Sequence, residues 1–275
     1  MTAAPAFAKI NLALVVGPCR EDGQHEVVTV LQRIDLQDTI TLTAADDLRV
    51  DGFAEDTIVT SALATLARWA GVKPAWHVHI EKRIPVAAGL GGGSSDAATA
   101  LVLANETLDA PLSTDELHRL ASGLGADVPF FLHSGTKLAT GAGSELATVD
   151  VPIEYVVVLV VPNGVTKDSS GAVYAEFDAR AGEKGFEARA EGVHDALASI
   201  RTAADLAALP PNDLAWSPLA HELVALGAFR ADVSGAGPTV YGLFTTEAEA
   251  ESAAGRLAAL GRTFVARPVP AAGHA

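Results

Sequence analysis

The sequence predicts an α+β protein in two lobes, and three observations carry that reading. The first eighty residues hold four runs of strand-forming residues. Helical periodicity follows the glycine-rich stretch Pro85–Ser95. An Ala-rich helical region from Ala172 then gives way to strands that bracket one more helix. Strands and helices arranged with local pairing belong to α+β, and 275 residues with 49% hydrophobic side chains supply apolar material for two cores.

The elements follow in order. Ile10–Val16 (INLALVV), His25–Ile34 (HEVVTVLQRI), Thr39–Thr43 (TITLT) and Trp76–Glu81 (WHVHIE) read as strands set off by Gly, Pro and Asp turns. One helix interrupts them: Asp56 caps it, Leu63, Leu66, Ala67 and Ala70 form its stripe, and Gly71 takes the left-handed position at its end. A helix from about Asp96 to Leu108 follows the glycine stretch. The next opens with the capping box Ser113/Glu116 and carries Leu117, Leu120, Ala121 and Leu124 on one face before Gly125. Tyr155–Val161 is a buried-type strand. Beyond it come the helical region Ala172–Leu226, a strand at Thr239–Phe244, a helix from Thr246 with Glu249 completing its cap, and a last strand at Thr263–Val269. A boundary near Asp150 divides the chain into domains 1–150 and 151–275.

Composition narrows the partners. Nineteen Lys and Arg against 34 Asp and Glu give a net charge of −15, which disfavours nucleic acid and anionic membranes, so any phosphate site must be built locally. Cys19 is the only cysteine, which excludes an intrachain disulfide and a multi-cysteine metal site. The longest apolar run is far short of a bilayer span, and the opening MTAAPAFAK lacks the basic start and apolar core of an export signal. A cytoplasmic protein is expected.

The stretch PVAAGLGGGSSDAATAL, from Pro85 to Leu101, carries the strongest chemical signal. Glycines let backbone amides approach a ligand closely, and the helix beyond Ser95 adds unpaired N–H groups and the positive end of its dipole. Together these make a phosphate cradle. A plain flexible loop is the alternative, but glycine, serine and aspartate run straight into a helix start. No Gly-Lys-Ser/Thr of a P-loop occurs, a dinucleotide fingerprint from Gly89 would need glycine at Ser94, and there is no Gly-x-Ser-x-Gly elbow. Taken alone, Lys9 is an ordinary strand lysine and Asp127 a helix N-cap before VPFF. His77 and His79 alternate on one strand face and could bind a metal, although an ordinary strand is the simpler reading.

The stretch PVAAGLGGGSS (Pro85–Ser95), with PAFAKINLAL (Pro5–Leu14) and DVSGAGPTVYGLF (Asp232–Phe244), resembles the three motifs of the GHMP small-molecule kinases. The resemblance implies an N-terminal ATP-binding α+β lobe, a ferredoxin-like C-terminal lobe and substrate in the cleft between them. It implies ATP binding by Pro85, Val86, Ala87, Ala88, Gly89, Leu90, Gly91, Gly92, Gly93, Ser94 and Ser95. It makes Lys9 and Asp127 a catalytic pair: Asp127 accepts the acceptor hydroxyl's proton, and Lys9 holds the reacting groups and offsets negative charge. Asn11, on the same strand face as Lys9, bonds substrate or fixes that lysine. Mg²⁺ is expected with ATP, touched at most by Ser94 or Ser95; no protein carboxylate ligand can be named.

The segments REDGQHEVVTVLQRIDLQDTI and LGADVPFFLHSGTKLATGAGSEL resemble the branch of the family that phosphorylates the 2-hydroxyl of a cytidine-diphosphate-linked methylerythritol, a step of the non-mevalonate route to isoprenoid precursors. By that resemblance His25 reads the cytosine edge, Tyr174 stacks on its face, and Ser170, with Ser169 as rival, lies nearby. Gly235 and Gly237 help bind substrate. Gln24 stands where the family usually has tyrosine, so one stacking wall is missing. Kinases of homoserine or mevalonate derivatives share the glycine loop and remain alternatives, as does a catalytically silent nucleotide-binding module. A monomer or homodimer is expected.

Overall fold

The computed structural model describes residues 1–56, 58–165 and 169–271. The chain forms two compact units that interleave in sequence. One is assembled from Met1–Ala8, Leu36–Val86 and Gly91–Ser134, the other from Lys9–Asp35, Ala87–Leu90 and Gly135–Ala275. The division expected near Asp150 was a single cut, whereas these units share two long strands, β1 (Thr2–Cys19) and β2 (His25–Ala44), each of which gives one part to either unit.

In the first unit, chain order is β3 (Arg49–Asp51), α1 (Ile58–Ala70), β4 (Trp76–Glu81), α2 (Gly92–Asn105), α3 (Thr114–Ser122) and the short α4 (Val128–Phe131). The end of β2 pairs antiparallel with β4, setting Ile40 opposite Ile80 and Leu42 opposite Val78, while β3 runs parallel to β4. Period-two alternation buries Trp76, Val78 and Ile80 and turns His77 and His79 the other way. Against the buried face lies α1, whose Val59, Ala62, Leu63, Leu66 and Ala67 make a helical stripe. Asp56 caps it by accepting from the Val59 and Thr60 amides, and Gly71 ends it at φ +67°. The partner helix α2 is buried on most sides. Its small residues Ala97, Ala98, Ala100 and Ala104 let it pack closely on α1.

In the second unit the order is β5 (Lys137–Thr140), β6 (Glu145–Thr148), β7 (Val156–Pro162), α5 (Ser170–Ala179), α6 (Phe186–Ser199), a 3-10 turn at Ala203–Ala208, α7 (Pro218–Ala225), β8 (Arg230–Val233), β9 (Val240–Phe244), α8 (Glu247–Leu257) and β10 (Gly261–Ala266). β5 pairs with β6 and with the first half of β2. The remaining four strands form an antiparallel sheet in the order β10-β7-β9-β8, and α7 and α8 pack on it through Leu223, Ala250, Ala253 and Leu257. Counting only the elements that pack on this sheet, the succession β-α-β-β-α-β is the ferredoxin-like motif.

The strand expected at Ile10–Val16 extends over Thr2–Cys19, the last strand runs Gly261–Ala266 instead of Thr263–Val269, and two further expectations shift. His25–Ile34 and Thr39–Thr43 are one strand: the polar residues between them stay extended because Asp38, fully buried, turns its carboxylate onto the Arg83 and Ile84 amides. The helix expected from Asp96 starts at Gly92, inside the glycine run, since glycine costs little in a first turn whose amides lack intrahelical partners anyway.

Candidate functional site

The glycine stretch leaves the ordinary backbone regions three times, at Ala87 (φ +54°), Gly89 (φ +80°) and Gly91 (φ +71°), and Gly91 is the N-cap of α2 with no side-chain cap. The glycines answer different demands. A Cβ on Gly89 would stand 2.2 Å from the Ser234 carbonyl oxygen, and one on Gly92 would crowd Ile84 at 3.0 Å and Lys82 Nζ at 3.3 Å. Gly93 is exposed, and among the described residues its Cβ would meet only Ile58 Cδ1, at an ordinary 3.5 Å. Packing among the described residues therefore gives no reason for glycine at 93, whereas a ligand drawn close to the first amides of α2 does.

In the second unit, Lys9, Asn11 and the Ser234–Gly237 turn converge. Lys9 Nζ donates to Asn11 Oδ1 at 2.6 Å, Asn11 Nδ2 donates to Thr29 Oγ1, and Thr29 Oγ1 donates to the Ala13 carbonyl. Lys9 and Asn11 are both buried, and a Cβ on Gly235 would reach within 3.3 Å of Lys9 Nζ and 3.4 Å of Asn11 Oδ1. Gly235 and Gly237 both have positive φ, and a cis peptide joins Gly237 to Pro238. Ser234 Oγ donates to the Gly89 carbonyl, the Gly237 amide to the Ser234 carbonyl, and the Lys9 amide to the Leu90 carbonyl, so this part of the glycine stretch is tied to both other motifs. Asn212, which the sequence reading missed, secures the turn: its Nδ2 donates to the carbonyls of Val233 and Gly235.

In the first unit, Asp127 occupies the N-cap position of α4, half-buried, but its side chain makes no capping bond. Ser95 is buried and Ser94 half-buried in the first turns of α2. The next residue, Asp96, belongs to a second feature missed from the sequence. Lys82 bridges two buried carboxylates, donating to Asp38 Oδ2 and, at 2.8 Å, to Asp96 Oδ2. Asp38 also has two backbone amides, but Asp96 Oδ1 is buried with no hydrogen-bond partner among the described residues. Burial pushes the Asp96 carboxyl up to about 7 against the pull of Lys82; burial opposes the charge on Lys82, but the two carboxylates outweigh it and raise its pKa. The signal in the sequence was an aspartate within an otherwise apolar helical run, where a charge needs a partner.

The second unit brings His25 and Tyr174 together, with ring centroids 4.8 Å apart, and Phe177 meets His25 edge-on at 6.1 Å. Tyr174 also packs against the cluster of Leu14, Val16, Val27, Phe177 and Leu214. His25 Nε2 lies 2.8 Å from Asp178 Oδ1, a partner the sequence reading did not name. Gln24 is exposed in the Arg20–Gln24 turn, and its side chain makes no hydrogen bond among the described residues. Ser169 caps α5 by accepting from the Ala172 amide, and Ser170 is the first helical residue. Thr166–Asp168, which precede these serines, lie outside the described residues. His77 and His79 both bond the carboxylate of Asp51, and no cluster of three or more His, Cys, Asp or Glu suited to a metal occurs among the described residues. No helix among them is long and apolar enough to cross a membrane.

The family models for the GHMP kinases N terminal domain and the GHMP kinases C terminal region match residues 57–135 and 203–263. The chain is 41% identical to a 4-diphosphocytidyl-2-C-methyl-D-erythritol kinase of Nocardia farcinica, covering 97% of this chain and 94% of the relative, and 39% identical to one of Salinispora arenicola, covering 92% and 86%. Its fold is similar to the crystal structure of a 4-(cytidine 5'-diphospho)-2C-methyl-D-erythritol kinase, with a TM-score of 0.77 and 28% identity over 97% of this chain and 99% of that one. A mevalonate kinase structure aligns equally well at 15% identity, over 98% of this chain and 100% of that one, a likeness of fold alone.

Proposed function

Because the chain belongs to the GHMP kinase family, we propose that it transfers the γ-phosphoryl group of ATP to the 2-hydroxyl of 4-diphosphocytidyl-2-C-methyl-D-erythritol. The choice of acceptor is carried by the relatives of that name, which match nearly the whole chain. The phosphoryl half is supported by the first turn of α2, whose leading amides have no intrahelical partner and where no described residue crowds a side chain at Gly93.

In this reading the amides of Gly91–Ser94 hold the triphosphate, with Pro85–Leu90 shaping the approach and Ser95, whose amide donates to the Gly91 carbonyl, contributing through its hydroxyl. Lys9, fixed by Asn11, offsets charge on the moving phosphoryl, and Asp127 accepts the proton of the acceptor hydroxyl. His25 and Tyr174 take the cytosine, and the Ser170 hydroxyl and the Gly235–Gly237 turn border the substrate. The exposed Gln24 offers an amide plane in place of an aromatic wall. Mg²⁺ would arrive with ATP, with the hydroxyl of Ser94 or Ser95, both in the first turns of α2, beside the phosphate oxygens that hold it, and the ion would screen phosphate charge. The protein works in the cytoplasm as a monomer or homodimer.

The test is ADP release measured with the cytidyl alcohol, homoserine and mevalonate as separate acceptors. Turnover with the cytidyl alcohol alone is expected; turnover of homoserine or mevalonate without it would overturn the choice of acceptor. Asp127→Asn is expected to abolish turnover while an ATP analogue still binds.

A further inference from the structure

We propose that Asp178 is a positioning residue that commits His25 to a single tautomer and so makes the site select a base edge that offers a hydrogen-bond donor. The proposal rests on His25 facing the pyrimidine, as in the function proposed above.

Tyr174, Phe177 and Asp178 stand at i, i+3 and i+4 of α5 and so share one helix face, and all three meet His25. The two rings hold the imidazole's plane while the carboxylate engages Nε2 at 2.8 Å. An ionised carboxylate only accepts hydrogen bonds, so the neutral imidazole carries its proton on Nε2 and leaves a lone pair on Nδ1. The His25 side chain is only 8% exposed, and among the described residues no protein group bonds Nδ1. Arg180, two residues on, does not compete for Asp178, because its guanidinium donates to the carbonyls of Asp213 and Leu214. One acceptor is therefore left for a ligand.

Cytosine meets that acceptor with its exocyclic amine. Uracil carries a carbonyl at the same position and would set lone pair against lone pair. A histidine with free choice of tautomer could turn an N–H toward either base, so the discrimination comes from the carboxylate behind the ring.

The experiment uses the full-length protein with nitrogen-15-labelled histidine, above the titration range of free imidazole, with the His25 signals assigned by their loss in His25→Ala. Wild type is expected to show the Nε2–H tautomer, and Asp178→Ala a mixture. In steady state, Asp178→Ala is expected to lower the kcat/KM preference for the cytidyl alcohol over its uridine analogue about tenfold, as for loss of one oriented hydrogen bond to a charged group. The KM for the cytidyl alcohol should carry the change, and Asp178→Glu should restore both tautomer and preference. An unchanged tautomer and preference in Asp178→Ala, while His25→Ala loses the preference, would overturn the role of Asp178 and leave the base site standing. A preference that survives His25→Ala would overturn the placement of the base, and this proposal with it.

Discussion

Lys9 Nζ donates to Asn11 Oδ1 at 2.6 Å, and the two side chains are only 3% and 5% exposed. The alternation of β1 puts both on one side of the strand, and the onward bonds from Asn11 to Thr29 and from Thr29 to the Ala13 carbonyl fix the amide that fixes the ammonium. A lysine on a four-carbon stem is mobile by default; here the Asn11 amide, itself fixed by Thr29, positions its head.

Asn11→Leu removes that acceptor while roughly keeping the side chain's volume. A hydrogen bond to a charged group contributes about 1.5–3 kcal/mol, so kcat is expected to fall about tenfold to a hundredfold. Thr29→Val, which loosens Asn11 one step back, should fall by less. Single-turnover rates at saturating ATP check both, and a kcat for Asn11→Leu within twofold of wild type refutes the relay.

Gly89→Ala and Gly93→Ala separate folding from binding within one loop. At Gly89 the added methyl meets the Ser234 carbonyl at 2.2 Å in a left-handed conformation, and a loss of stability above about 2 kcal/mol is expected. At Gly93 the methyl has room, and alanine's helix propensity contributes up to about 1 kcal/mol, so the melting temperature should hold or rise. ATP-analogue affinity should nevertheless drop at least tenfold in Gly93→Ala, as read by calorimetry. Unchanged affinity would mean that phosphate does not approach that backbone.

The parts of the fold set by local signals were legible in the sequence. The capping boxes at Ser113/Glu116 and Thr246/Glu249 form as spaced, and WHVHIE is β4 residue for residue, since its alternation has only one face to bury. What depended on distant partners was not. Asp38 reads as a turn residue until the amides of Arg83 and Ile84 are known to meet it, and β3, β5, β6 and β8 are too short for periodicity to register. The same holds at the candidate site: the glycine run announces itself through composition, whereas Asp178, Asn212 and Lys82 act through contacts many residues away along the chain.

Asp51 accepts from both His79 and His77, first the one and then the other in strength, and these bonds, with a smaller contribution from Arg49, hold its carboxyl at about 2, below its ordinary 3.8. A depressed carboxyl stabilises the fold above its unfolded value and loses that contribution as pH falls through the folded one. Wild type should therefore lose stability between about pH 4 and pH 2 more steeply than Asp51→Asn. Thermal melts across that window check it, and parallel curves would refute it.

Lys82 serves two buried carboxylates at once, and they are not equals. Asp38 has two backbone amides as well, while Asp96 has the shared ammonium and one oxygen with no partner among the described residues, so the strain of burying two negative charges beside one positive falls on Asp96. Lys82→Met leaves both carboxylates without their cation, and a loss of about 3–5 kcal/mol is expected. The pH dependence runs opposite to that of Asp51. With its carboxyl raised from 3.8 to about 7, Asp96 gives its full contribution below pH 3.8 and loses it as pH rises through about 7. Asp96→Asn removes the titration and should flatten the stability curve over that interval, gaining on wild type toward pH 8. Chemical denaturation at a series of pH values measures the slope, and an Asn variant whose curve keeps the wild-type slope would show that Asp96 is ionised throughout.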